Sequence, residues 1–218
     1  MTLRKKLSLI GHLLLIPGIF LVFYTAPGNT ASATKPDTVA GVPENPEASL
    51  YDLKTTVTDQ DAQALTLDTF RGHPVMISMV YATCPYTCPL IIGNLQKIEA
   101  TLPPSIREHT RTLLVSLDPQ HDTPAVLKDA AKRHQIAESR WRLVATDEDK
   151  VREIAAALSV KYRDSADGGI NHSAIIAVLD QNGVIRGTWD GTSPAVADIT
   201  VLLTSLAGTQ PSWGVKAQ

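Results

Sequence analysis

Val75-Met76-Ile77-Ser78-Met79-Val80-Tyr81-Ala82-Thr83-Cys84-Pro85-Tyr86-Thr87-Cys88-Pro89-Leu90-Ile91-Ile92-Gly93-Asn94-Leu95 is the stretch on which the fold turns. Its first part, Val75 to Tyr81, is a continuous apolar run, the pattern of a strand buried on both faces. Its last part leads into apolar residues at Ile91, Leu95, Ile98 and Leu102, a helical spacing, and Pro103-Pro104 stops it. Between strand and helix stand Cys84 and Cys88, and the chain has 2 cysteines in all. With Cys88 in a first helical turn, residues four apart face the same side and both sulfurs converge on one point. Unpaired N–H groups and positive partial charge at a helix N-terminus favour the thiolate there. This geometry suits a disulfide, structural or reversible, or a soft metal such as Cu(I).

Outward from that stretch, strand and helix signals alternate. Leu50 to Thr58 and Ala64 to Leu67 read as short strands around an Asp59-Gln60-Asp61 turn. Thr112 to Leu117 and Trp141 to Val144 read as further strands. Thr123-Pro124 supplies cap and first residue for a helix to about His134. Thr146-Asp147-Glu148-Asp149 opens another helix, with acids in its first turn, to about Leu158. Ser173 to Leu179 and Val184 to Trp189 are joined by Asp180-Gln181-Asn182-Gly183, a hairpin signal. Ser193-Pro194 begins a last helix to about Leu206. The order predicts an α/β fold: a layered sheet with helices on both faces, and antiparallel strands added by the terminal hairpin.

The chain has 218 residues, enough for one well-buried domain with a leader and a tail. Arg4-Lys5-Lys6, the apolar run Leu7 to Tyr24 and Ala31-Ser32-Ala33 follow the order of an export signal, or of a membrane anchor at the short end of a span. Positive residues stay inside, so the domain is expected on the exported side, the periplasm of a Gram-negative cell. It would be soluble after cleavage near Ala33 or tethered to the inner membrane through residues 7–24. The expected divisions are a leader over 1–33, a linker over 34–47, one domain over 48–207 and a tail over 208–218. Without Arg4, Lys5 and Lys6, the remainder of the 20 basic residues is outnumbered by 22 acidic ones. A mildly acidic domain without a basic stripe argues against a nucleic-acid partner.

Two further segments carry candidate chemistry. His172 lies in Asp167-Gly168-Gly169-Ile170-Asn171-His172-Ser173, read as a loop entering a buried strand at the sheet edge where the CxxxC helix starts. A lone loop histidine is also simply a solvated one. Asp118-Pro119-Gln120-His121-Asp122-Thr123-Pro124 reads as a loop with Asp122 or Thr123 as a helix cap.

Together, the motifs Phe70-Arg71-Gly72, Tyr81 to Pro89, Asp118 to Pro124 and Asn171-His172-Ser173 make the chain resemble the Sco/SenC family, thioredoxin-like proteins of cytochrome c oxidase assembly. The resemblance covers about Leu50 to Leu206. It implies a thioredoxin-like sheet with flanking helices and one bound copper, Cu(I) or Cu(II). It implies Cys84, Cys88 and His172 as metal ligands, with Cys84 and Cys88 also able to pair as a disulfide. The implied role is a copper metallochaperone, a binding protein rather than an enzyme. Its recipient would be the copper-site subunit of cytochrome c oxidase or another periplasmic copper protein. The alternative is a thiol–disulfide oxidoreductase using Cys84 and Cys88 as its redox pair. The CxxxC spacing weighs towards metal. Tyr86 replaces an Asp usual between the cysteines, His121 an Arg, and Asn171 an Asp; His121 is thereby a further candidate ligand. These flanking departures bear on docking and on tuning of the site more than on copper binding itself.

Overall fold

The computed structural model describes residues 48–166 and 168–208. The leader, the linker before residue 48 and the tail from residue 209 lie outside the described residues. Among the described residues no helix is long and apolar enough to cross a membrane.

The apolar run becomes β3 (Val75–Val80), buried at every position. It is flanked by β4 (Arg111–Ser116), which runs parallel to it, and by β8 (Ile175–Leu179), which runs antiparallel. Beyond β4 lies β5 (Trp141–Ala145), parallel again. β1 (Thr56–Asp59) and β2 (Ala64–Thr66) extend that edge, and β9 (Ile185–Asp190) pairs with β8 at the other, giving the order β2-β1-β5-β4-β3-β8-β9. The Asn182-Gly183 signal was sound: Gly183 takes φ +82° in the turn between β8 and β9.

Successive residues of the central strands feed opposite faces. Met76, Val80, Leu114, Trp141 and Leu143 pack under α1 (Thr87–Thr101), α3 (Pro124–Arg133) and α5 (Val196–Gly208). Val75, Ile77, Met79, Leu113 and Val115 pack under α4 (Glu148–Ala157) and two 3-10 turns, Leu50–Leu53 and Leu67–Phe70. Helices therefore cover both faces, as expected for strands apolar on both sides.

Some local readings change. Leu50–Leu53 is a 3-10 turn rather than strand, because the Ser49 hydroxyl caps the Tyr51 N–H and Lys54 takes a left-handed conformation. Pro103-Pro104 ends α1, yet Pro104 also opens a short helix, α2 (Pro104–His109), since proline fits a first helical position. The stretch read as a loop before β8 contains a strand, β7 (Ile170–His172), which pairs antiparallel with β6 (Tyr162–Asp164) just upstream of it. The last helix runs to Gly208, two residues past its expected end at Leu206.

Candidate metal and thiol site

The parallel pairing puts the loop after β3 beside the loop after β4, and the Leu117 N–H donates to the Val80 carbonyl across them at 2.8 Å. β8 runs the opposite way, so its first residues start at the same end; the Ser78 hydroxyl donates to the Ile175 carbonyl at 2.7 Å. The segment just before β8 is β7, ending at His172. Sheet topology thus carries His172 to the thiols across 84 residues of sequence.

The CxxxC loop is held at Ala82. The Asp122 carboxylate accepts its N–H, at 3.0 Å to Oδ2, and Arg133 donates to its carbonyl at 3.1 Å. Asp122 is buried, also accepts from the Ser116 hydroxyl at 2.6 Å, and burial holds its carboxyl above the ordinary range. Thr123 supplies the cap of α3 instead, leaving Asp122 free to serve the neighbouring loop.

Cys88 occupies the second position of α1, where its own N–H has no helical acceptor; it donates to Cys84 Sγ at 3.3 Å. Burial pushes the Cys84 thiol up, but hydrogen bonds from the Cys88 side chain, the Cys88 and Tyr86 backbone and the Tyr81 side chain outweigh it. The net result holds Cys84 below the ordinary thiol range. Cys88 is 2 % exposed; burial first, then the Cys84 side chain, drive its thiol far above that range. One thiol is accessible and ready to ionise, and the other is kept protonated. Both are unbonded.

Cys88 Sγ lies 3.7 Å from His172 Nε2. The other ring nitrogen, Nδ1, stands 3.2 Å from the Ser173 carbonyl, which suits it as the protonated nitrogen and leaves the Nε2 lone pair towards the thiol. Burial lowers the His172 pKa from 6.5 and favours the neutral, ligating imidazole. Tyr81 packs edge-on against His172, with centroids 6.1 Å apart, and its hydroxyl accepts the Ile170 N–H at 3.3 Å. The strand-end reading of Tyr81 gave no hint of this role, because its hydroxyl partner is 89 residues away.

Cys84, His172, Tyr81, Tyr86 and Asn171 line one cavity of about 420 Å³. Tyr86 is 83 % exposed at its mouth. His121 is not brought to the thiols: it lines an adjoining cavity with Asp118, Glu148 and Tyr162, and bonds to Asp118 at 2.7 Å. That bond holds its imidazole above the ordinary range. Among the described residues no three His, Cys, Asp or Glu side chains are already drawn round a common metal position. The Cys84 sulfur and the His172 imidazole on one cavity wall, with the buried Cys88 sulfur 3.7 Å from Nε2, are nonetheless a soft donor set, suited to Cu(I).

Known proteins resemble this one throughout the domain. A SCO2-like protein of Rickettsia prowazekii (strain Madrid E) is 24 % identical over 131 residues, covering 57 % of this chain and 62 % of that protein. The match thus spans less than two thirds of that relative's length. The structure of yeast Sco1 with copper bound superposes with a TM-score of 0.59 at 19 % identity, over 75 % of this chain and 93 % of the yeast chain. BsSco, described as having a disulfide switch and as a member of the Sco family of cytochrome c oxidase assembly proteins, gives a TM-score of 0.63 at 17 % identity, over 71 % and 92 % of the two chains. At these identities the structural likenesses establish a shared fold. The SCO1/SenC family itself matches residues 44–206, most of the chain, and the protein belongs to that family.

Proposed function

We propose that the domain is a copper carrier that holds one copper ion, as cargo, between Cys84, Cys88 and His172. The observation that carries this reading is the approach of Cys88 Sγ to His172 Nε2 at 3.7 Å, with Cys84 Sγ on the Cys88 N–H. Small side-chain movements would draw the three donors together. A three-coordinate site leaves room for an incoming ligand, so a recipient protein can take the ion by exchanging donors one at a time. Copper bound in yeast Sco1 and the family role in cytochrome c oxidase assembly support copper as cargo and an oxidase copper site as its destination. The leader pattern supports a domain on the exported side, tethered through residues 7–24 or released near Ala33.

The test is copper content. Reduced full-length protein should take up one Cu(I) per chain in competition with a Cu(I) chelator, and the Cys84→Ser, Cys88→Ser double variant should take up none. Unaltered copper in the double variant overturns the reading.

The thiol asymmetry supports a second activity at the same place. An accessible Cys84 of lowered pKa beside a buried, protonated Cys88 is the pattern of an attacking and a resolving thiol. Cys84 thiolate would attack a partner disulfide, and Cys88 would then displace the partner. The partner gains two electrons and two protons, and Cys84–Cys88 becomes a disulfide that no longer holds copper. His172→Ala separates the two activities: it should weaken copper binding while leaving thiol exchange within a few-fold of wild type, since exchange depends on thiolate fraction and access.

A further inference from the structure

The amino-terminal ends of the parallel strands, opposite the thiols, carry a cluster of arginines that the copper site does not use. Arg111 opens β4, opposite Val75 at the start of β3. Arg140 precedes β5, its carbonyl accepting the Thr112 N–H at 3.0 Å, and Arg142 follows two residues later. The three guanidinium groups line one small cavity of about 150 Å³ with Ser139, Thr69 and His73, over an apolar wall of Leu65 and Phe70.

Two of these arginines are neutralised. Arg140 pairs with Glu99 at 2.7 Å and with Glu108 at 3.4 Å, and Arg142 with Asp59 at 3.4 Å. Arg111 is not. Its Nη1 donates to the Glu108 and Thr110 carbonyls at 2.8 and 3.1 Å, and among the described residues no carboxylate makes an ion pair with it. Burial, only partly offset by Glu108, and the like charges of Arg140 and Arg142 hold its pKa below the ordinary guanidinium range. His73 is likewise disfavoured as a cation by burial, with Arg111 adding to the effect. No carboxylate lines this cavity, and hydroxyls supply further donors. A place with surplus positive charge, several donors and no carboxylate on its wall is matched by an anion rich in acceptors.

We propose that this cavity binds a phosphate group, with Arg111 as its principal contact. Donors arriving from β4, from β5 and from the turn before β3 suit a tetrahedral group with oxygens in several directions better than a flat carboxylate. The phosphate could come free from solution or from an anionic lipid headgroup. The second source has a topological motive. The domain begins against the β8–β9 turn, where the Leu50 N–H donates to the Gly183 carbonyl at 2.9 Å, and the Gly72 N–H donates to the Gln181 carbonyl at 2.9 Å beside His73. The first described residues, from residue 48, therefore lie at the arginine end. β3 spans six residues, about 20 Å at roughly 3.3 Å per residue, and separates that end from the thiols. A headgroup held there would turn Cys84 and His172 away from the membrane.

The experiment is a titration of isotope-labelled full-length protein followed by amide and arginine side-chain NMR shifts. One arm uses inorganic phosphate, and the other dihexanoylphosphatidylglycerol below its micelle concentration. Sodium chloride at matched ionic strength is the control. Saturable shifts centred on Arg111, His73 and Ser139, weakened at least ten-fold in Arg111→Gln, support the site, and the arm that saturates at lower concentration names the source. Shifts that do not saturate, that follow chloride equally, or that survive Arg111→Gln undiminished overturn it. Should Arg111→Gln fail to fold, Ser139→Ala serves as the variant: a several-fold weakening supports the site, and unchanged affinity overturns it.

Discussion

The buried Asp122 carboxylate accepts the Ala82 N–H and the Ser116 hydroxyl at once, at 3.0 and 2.6 Å, so the thiol loop after β3 is suspended from the loop after β4. Asp122→Ala would leave two inward-facing donors without an acceptor, at a cost of about 1–3 kcal/mol in unfolding free energy. Asp122→Asn keeps one acceptor and should cost less. Urea denaturation of the three proteins decides it; an alanine variant as stable as wild type would show that the carboxylate does not hold the loop.

Iodoacetamide should find Cys84 first. Cys84 is partly accessible with a lowered pKa, whereas Cys88 is buried and protonated. Brief alkylation of reduced protein near pH 7.5, followed by peptide mass spectrometry, should give a product labelled at Cys84 with little at Cys88. Equal labelling would contradict the asymmetry.

Copper affinity and stability should both fall in acid, for different reasons. With Cys88 as a proposed ligand and its thiol pKa raised by burial, copper binding releases its proton, so apparent Cu(I) affinity should rise at least about ten-fold per pH unit between 7 and 9. For the copper-free protein, His172 has a folded pKa below its ordinary 6.5. Its unfolded form takes up the proton first, so its contribution is fully present above 6.5 and is lost as pH falls from there towards the folded pKa, by at most about 1.4 kcal/mol per pH unit. His73 and His134 act in the same sense. Asp122, with a raised carboxyl pKa, acts in the opposite one. The comparison is therefore wild type against His172→Gln at each pH from 7.5 to 5, where the variant should show the shallower loss. Parallel curves would remove His172 from the account.

Gly183→Ala should destabilise the domain without touching the site. At φ +82° a side chain is strained, and a Cβ there would come within 2.5 Å of the Tyr51 ring and 2.7 Å of Ser49 Oγ. A loss of about 2 kcal/mol, roughly 4–8 °C in Tm for a chain of this size, is expected with thiol reactivity unchanged. A Tm within a degree of wild type would mean that the turn can shift to accept the methyl.

The elements that sequence disclosed are those whose pattern is local. Five apolar residues in the six of Val75 to Val80, interrupted by Ser78 alone, suit a strand covered on both faces, and Ile91, Leu95 and Ile98 are all buried in α1 as their spacing requires. Thr123-Pro124 and Asn182-Gly183 each carry a conformational preference within two residues. β6 and β7, of three residues each, offer no period to detect: β7 falls in the stretch read as loop, and β6 in one that carries no signal. Asp122 resembles any residue before a helix until its acceptor role across to Ala82, 40 residues away, is seen. His172 was singled out by motif resemblance rather than by any physical signal in its own neighbourhood, because what sets it apart is a contact made through the antiparallel return of β8.

Cys88 and His172 are 84 residues apart in sequence, and Cys84 lies further back still. During synthesis, Cys84 and Cys88 emerge well before His172, and before β8 exists to carry it home. A nascent chain therefore presents a bare pair of thiols, with neither the cavity nor the imidazole beside them. Any ion or oxidant met at that stage meets a different chemistry from that of the finished domain, so selective loading belongs after folding is complete.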